Sequence, residues 1–205
     1  DQYEGPLTPA PLLVTVGQPE DDAQMYLDLE ADGLTALTGD RATAEDLARS
    51  ILTELTLSPL AETLRVIGIG EVVNEDAKVL EHLTVVDSWD GIAEDVRAWA
   101  RQSHDALADS DWANAFVGRG HDPDHDALVP IAIVADRPPP PELADELRSC
   151  QPSAVAVVVV GDFDAAVANL RCEPDTLNFD SVDLACTPHV VDGVEVERVW
   201  LAPQV

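Results

Sequence analysis

The stretch Leu34-Thr-Ala-Leu-Thr-Gly-Asp-Arg-Ala-Thr-Ala-Glu-Asp-Leu47 comes closest in residue type and spacing to phosphate chemistry. It reads as a short buried strand, a tight turn and the start of an amphipathic helix. In that arrangement, N–H groups at a helix start can cradle a phosphate. The chemistry needs glycines for close backbone approach, a lysine on the β- and γ-phosphates, and a Ser or Thr on magnesium. Aligned on strand and helix, Thr38 stands at the first glycine position and Thr43 at the last, which leaves Gly39. The lysine position falls on Ala44 and the hydroxyl position on Glu45, so a carboxylate would face the triphosphate. Asp40 and Arg41 complete the turn. Usual triphosphate binding is therefore not expected. Arg41 leaves open an unorthodox ligation, with Arg41 on phosphate and Asp136 on magnesium.

A second constellation closes the apolar run Ile131-Ala-Ile-Val-Ala-Asp136. A carboxylate at such a strand end suits water-mediated magnesium binding, and equally a solvated strand terminus. Arg137 follows where a catalytic glutamate would be needed. A third lies in His121-Asp-Pro-Asp-His-Asp126, with imidazoles and carboxylates close enough to consider a metal. Asp-Pro turn chemistry is its alternative. A metal-dependent hydrolase would combine His121, His125 and Asp136. No G-x-S-x-G elbow places a nucleophilic serine. Cys150, Cys172 and Cys186 are odd in number and lack a C-x-x-C pattern, which suits reduced, mostly buried thiols. Neither His104 nor His189 has a partner in sequence, and both read as surface residues. Of the tryptophans, Trp99 and Trp200 read as core. Trp112 with Phe116 reads as an exposed patch on a long loop.

Elements that position these groups follow from periodicity. Residues 1–11 read as a tail or linker, and residues 12–205 as a single α/β domain. Leu12–Val16 and Met25–Leu29 form an N-terminal hairpin ahead of the strand Leu34–Leu37. Thr43 is the expected N-cap of the next helix, whose Leu47, Ile51, Leu52 and Leu55 share one face. Ser58-Pro59 ends it. Strands follow at Leu64–Ile69 and Leu83–Val86, with a short helix at Ala77–His82 between them. The longest helix is expected over Asp90–Ala108, then a loop over Asp109–Asp126. The strand Val129–Ala135, the helix Glu142–Cys150 and the strand Ala154–Val160 come next. Unbroken apolar strands between amphipathic helices indicate a mostly parallel sheet with helices on both faces. Short strands at Val182–Cys186 and Val194–Leu201, around Asp192-Gly193, make a C-terminal hairpin.

Composition limits the partners. Hydrophobic residues make up 46% of the 205, enough for a core. The formal charge is −29, from 11 basic and 40 acidic residues, with Lys78 the single lysine. Such a surface repels nucleic-acid backbones and anionic lipid heads. It serves solubility or attracts a basic partner. No apolar run reaches the roughly 18 residues of a membrane span. The chain begins at Asp1 without methionine, in keeping with a piece of a longer protein.

The run Val16-Gly17…Met25-Tyr-Leu-Asp-Leu29…Gly33-Leu-Thr-Ala-Leu-Thr-Gly39 resembles the lead-in and phosphate loop of FtsK/SpoIIIE-type ATPases. Ser58-Pro59…Leu64–Ile69 and Glu81-His82-Leu83…Val86 resemble that family's later strand segments. Asp136 then falls at the end of its Walker B strand. Degenerate ATPase-like domains of actinobacterial proteins are the most similar in kind. They include the later modules of type VII secretion EccC ATPases and a domain of large membrane proteins with LysM or BTAD modules. The resemblance implies a P-loop NTPase-like fold. It does not carry ATPase activity over, because Ala44, Glu45 and Arg137 stand where catalysis needs Lys, Ser/Thr and Glu, and no cofactor is expected. A non-catalytic interaction or regulatory module is expected, in contact with a protein partner or other domains of the same polypeptide. Thr38, Gly39, Asp40, Arg41, Thr43, Ala44, Glu45, Asp136 and Arg137 form the candidate docking site. No nucleic-acid or direct membrane contact is expected. A cytoplasmic location is expected, also as the soluble part of a membrane-anchored protein.

Overall fold

Apolar runs that lack polar alternation must bury both faces of a strand, and the computed structural model shows where each face goes. It describes residues 10–18, 24–74, 77–174, 176–179 and 184–188. The strands are β1 (Leu13–Gln18), β2 (Met25–Asp28), β3 (Leu34–Gly39), β4 (Arg65–Ile69) and β5 (Leu83–Val86), followed by β6 (Ile131–Ala135), β7 (Val155–Val160), β8 (Ala168–Glu173), β9 (Thr176–Phe179) and β10 (Leu184–Pro188). The helices are α1 (Leu29–Asp32), α2 (Arg41–Leu57), α3 (Ala93–Asp109), α4 (Ala115–His121) and α5 (Pro141–Ser149).

The strands form one sheet in the order β2-β1-β10-β9-β8-β3-β7-β6-β4-β5. From β8 to β5 every neighbouring pair is parallel. The β9, β10, β1 and β2 strands extend the sheet antiparallel. The fold is thus α/β with a mostly parallel sheet, and an N-terminal hairpin (β1–β2) is present. Along β7, Ala156, Val158 and Val160 pack with Leu47, Ile51 and Leu52 of α2. The intervening Val155, Val157 and Val159 pack with Val96 and Ala100 of α3 and Leu143 and Leu147 of α5. Alternate side chains therefore feed opposite cores, which explains why the sequence of β7 shows no polar face.

Several boundaries differ from the sequence reading. The N-cap of α2 is Asp40, not Thr43, and the helix begins at Arg41. The carboxylate of Asp40 reaches the orphan N–H of Thr43 and so lets the helix start a turn earlier. α3 begins at Ala93 behind a 3-10 turn at Trp89–Gly91, and α2 equals it at 17 residues. The short helix expected at Ala77–His82 is a 3-10 turn, Ala77–Val79. The loop expected over Asp109–Asp126 contains α4, whose N-cap Asn114 accepts a hydrogen bond from Val117 N at 2.9 Å. Two glycines in α4 hide its helical character in sequence; a Cβ at Gly118 would meet Leu128 at 2.5 Å.

β8 has no counterpart in the sequence reading, although its apolar–polar alternation, Ala168/Leu170/Cys172 against Asn169/Arg171/Glu173, is the period of a strand. At the C-terminus, the antiparallel pair is β9–β10, of which β10 overlaps the expected Val182–Cys186. Val194–Leu201, Asp192-Gly193, His189, Trp200 and residues 1–9 lie outside the described residues. Among the tryptophans, Trp89 is buried, while Trp99 and Trp112 are half-buried against apolar neighbours. Trp112 is thus not an exposed patch, although Phe116 is exposed.

Ile51 has no exposed surface and anchors α2 to the sheet. Ile51→Ala is expected to cost about 2–5 kcal/mol. Urea unfolding checks this, with a lower midpoint at an unchanged slope.

Candidate functional site

The expected phosphate turn is closed by the chain itself. Gly39 ends β3 with φ +92°, and a Cβ there would lie 2.2 Å from the Cys172 carbonyl oxygen of β8. Only glycine combines that torsion with so close an approach. Asp40 N–H donates to the same carbonyl at 2.7 Å. One residue, Asp40, separates strand from helix. Its Oδ2 accepts from Thr43 N at 2.9 Å and from Thr43 Oγ1 at 2.8 Å, while Ala44 N donates to Asp40 O at 3.0 Å. The positive end of the α2 dipole thus faces a carboxylate of its own chain. The two Thr43 hydrogen bonds hold the Asp40 carboxyl below its ordinary value.

The neighbouring groups are partnered as well. Thr38 Oγ1 donates to Asn169 Oδ1 at 2.9 Å and ties β3 to β8. Arg41 Nε pairs with Glu45 Oε1 at 2.7 Å along the helix surface. Burial, with the Asp40 charge adding, pushes the Cys172 thiol up to about 12, so it is not a nucleophile. Burial also raises Cys150.

Asp136 shows the same closure. It is 2% exposed, and Arg137 forks onto it, Nε to Oδ1 and Nη2 to Oδ2, each at 2.8 Å. Glu71 N donates to Oδ2 at 2.9 Å. Gly70, at φ +75°, leaves the room: a Cβ there would sit 2.5 Å from both carboxylate oxygens. Trp89 Nε1 donates to the Arg137 carbonyl at 2.9 Å and fixes the backbone behind the fork. Arg137 chiefly holds the Asp136 carboxyl below its usual range; the Glu71 N–H and the field of Arg41 assist, against burial. A cation bound here would have to displace a bidentate guanidinium.

The sheet brings Thr38–Glu45 and Asp136–Arg137 to one edge. β3 and β6 both flank β7, with Leu37 opposite Val160 and Ala135 opposite Val159. Two strand spacings, about 10 Å, separate them. His121 and His125 are elsewhere. They lie ahead of β6, at its start, and Asp136 follows its end, so about 16 Å of strand intervenes. Trp112 stacks on His121 and meets His125 edge-on, each at 6.0 Å between ring centroids. That geometry overturns a shared metal on His121, His125 and Asp136. Among the described residues, no group of His, Cys, Asp or Glu is arranged to hold a metal. Sequence reasoning missed Asn169, Cys172 and the Glu71 N–H as site components. Only the alternation of β8 signalled the first two.

No protein-family model matches the sequence, and no curated protein does. Solved structures do. The monomer of the pCW3 conjugation coupling protein TcpA with ATPγS superposes at TM-score 0.67 and 10% identity, covering 95% of this chain and 72% of that one. The fold is that of an FtsK/EccC-like P-loop ATPase domain. Thermomonospora curvata EccC (ATPases 2 and 3), in complex with a signal sequence peptide, gives 0.63 at 13% identity, with 89% of this chain and 41% of that one covered. The cytoplasmic domain of EssC gives 0.59 at 12%, with 88% and 44% covered. This chain thus spans less than half of the EccC and EssC chains.

Gly39→Ala is expected to destabilise the fold by at least about 1 kcal/mol, read from urea unfolding. Asp40→Ala lowers the melting temperature, whereas Asp40→Asn, which can still cap, lowers it less. Asp136 has a folded pKa below its unfolded one, so its stabilisation is present above the unfolded value, 3.8, and is lost as pH falls through the folded value. Arg137→Ala removes the largest lowering cause and leaves the burial. The Asp136 pKa then rises, and the acid limb of stability moves to higher pH. Carboxyl-carbon NMR titration and urea midpoints against pH check both shifts.

Proposed function

We propose that this chain is a non-catalytic P-loop-like domain that acts as a protein interaction and regulatory module of a larger polypeptide. One observation carries the reading: each nucleotide-facing charge has an internal substitute. The Asp40 carboxylate stands at the α2 N-terminus where a phosphate would sit. The Arg137 guanidinium stands on Asp136 where a hydrated magnesium would sit. Ala44 and Glu45 supply neither an ammonium nor a hydroxyl. Catalysis needs those groups to meet charge developing on the transferred phosphoryl, and a filled site cannot do so.

In this reading, the edge formed by Thr38–Glu45 with Asp136 and Arg137 docks a partner segment or another domain of the same polypeptide. The exposed side chains of Arg41 and Arg137 support an exposed contact face there. The similar EccC ATPases are seen with a signal sequence peptide, a precedent for peptide capture by this fold. Among the described residues, no helix is long and apolar enough to cross a membrane. With the EssC neighbour described as a cytoplasmic domain, we place the module in the cytoplasm, also as part of a membrane-anchored protein. The net charge of −29 argues against nucleic acid as partner.

Calorimetry with Mg-ATP is expected to show no binding, and a phosphate-release assay no turnover. Micromolar binding or measurable hydrolysis would overturn the proposal. A second reading, nucleotide binding through Arg41, draws on the ATPγS complex of the similar TcpA. It requires Mg-ATP binding by the native protein that Arg41→Ala abolishes.

A further inference from the structure

Between α3 and β6 the chain packs on a cluster of its own. Leu107, Ala115, Leu128 and Ala154 are buried together, with Ala106 and Trp112 against them, apart from the two clusters on the faces of the sheet. The helix in this stretch, α4, has seven residues, two of them glycine. So short a helix, with so poor a helix former inside it, depends on packing to exist. A cavity of about 510 Å³ lies between Pro123, His125 and Leu128 of this stretch and Pro11, Leu60 and Thr63. Side chains that border open space forgo the contacts that would hold the two sides together.

A charge pair fastens the stretch to α1. Arg119 of α4 reaches Glu30, 89 residues earlier: Nη1 donates to Oε1 at 2.7 Å and Nη2 to Oε2 at 2.5 Å. Both side chains are deeply buried, at 8% and 7% exposure. Nη1 also donates to the Leu128 carbonyl at 3.1 Å, so one guanidinium holds both α4 and the turn before β6. Arg119 Nε is buried with no hydrogen-bond partner among the described residues. A guanidinium at this depth depends on its carboxylate. Removing that partner leaves an uncompensated buried charge, which is relieved when the arginine swings out to water. α4 must then move with it.

We propose that residues 110–128 form a flap that opens as one unit while the sheet stays folded, with the Arg119–Glu30 pair as its latch. Opening uncovers Trp112 and Leu128 and joins the cavity to solvent. The stretch has the marks of a unit of low local stability: few buried apolar residues, a glycine-containing helix and a cavity along one side. The flap is separate from the loop edge proposed above, so either proposal can fail without the other.

Hydrogen exchange of the full native chain, followed by NMR at low urea concentrations, is the first test. Amides of residues 117–121 are expected to exchange faster than those of β6 and β7, and with a smaller urea dependence, because the opening exposes only part of the chain. The second test uses trypsin. Arg119 is the only Lys or Arg between Arg101 and Arg137, and the protease must take its freed side chain, so cleavage after Arg119 reports the open flap. In Glu30→Gln, exchange at residues 117–121 is expected to rise about 100-fold or more. Cleavage after Arg119 is expected to speed up in a chain whose β6 and β7 amides remain protected. Exchange of residues 117–121 in step with β6 and β7, in either protein, or cleavage no faster in the variant, would each overturn the proposal. The native-chain measurement stands even where the variant does not fold.

Discussion

A carboxylate at the end of a strand buried on both faces has to be satisfied. Asp136 is 2% exposed, and β6 before it is apolar at each position, so water reaches it poorly. Left alone, such a charge is strongly destabilising or takes up a proton. Here the fork of Arg137, the Glu71 N–H and the space left by Gly70 keep it ionised. These contacts also fix the geometry around it: the turn after β4, the exit of β6 and, through Trp89, the approach to α3.

The same logic runs through the β3–α2 junction. A parallel sheet must turn the chain sharply at its strand ends, and α2 starts with N–H groups that need acceptors. Here Asp40 supplies one, and the turn shortens to one residue between strand and helix. β8 then closes on the shortened turn, its Cys172 carbonyl taking the Asp40 N–H and requiring glycine at position 39. One edge of the sheet is therefore internally neutralised. At the opposite edge, where the strands begin, lies the cavity bordered by Arg65, Trp99 and Asp105.

Much of this architecture was legible in sequence, because burial on two faces writes long apolar runs and helices write a periodic stripe. The resemblance of the lead-in and Walker B-like segments pointed to the fold that superposition on TcpA, EccC and EssC then showed. β8 and α4 were lost for opposite reasons. β8 carries ordinary alternation, but in a short stretch with Asn, Arg and Glu on its other side. α4 carries two glycines, tolerated because the packed neighbours Leu128 and Trp112 leave no room for a Cβ at Gly118. The helix start at Asp40 was read three residues late, since Thr43 and Asp40 are both good capping types and only the backbone torsions separate them.

Sequence by itself determined the residue types at the loop: no lysine, no magnesium hydroxyl, one glycine, and an arginine after the strand-end aspartate. Those identities follow from the chain order alone. What only the tertiary structure decided is which groups those residues meet. That Asp40 caps α2, that Arg137 folds back onto Asp136, and that Cys172, 133 residues beyond Gly39, supplies the closing carbonyl are facts of through-space geometry. Hydrogen bonds and ion pairs act over a few ångströms, whatever the distance along the chain. It was the pairing of β8 with β3 that brought those groups within reach.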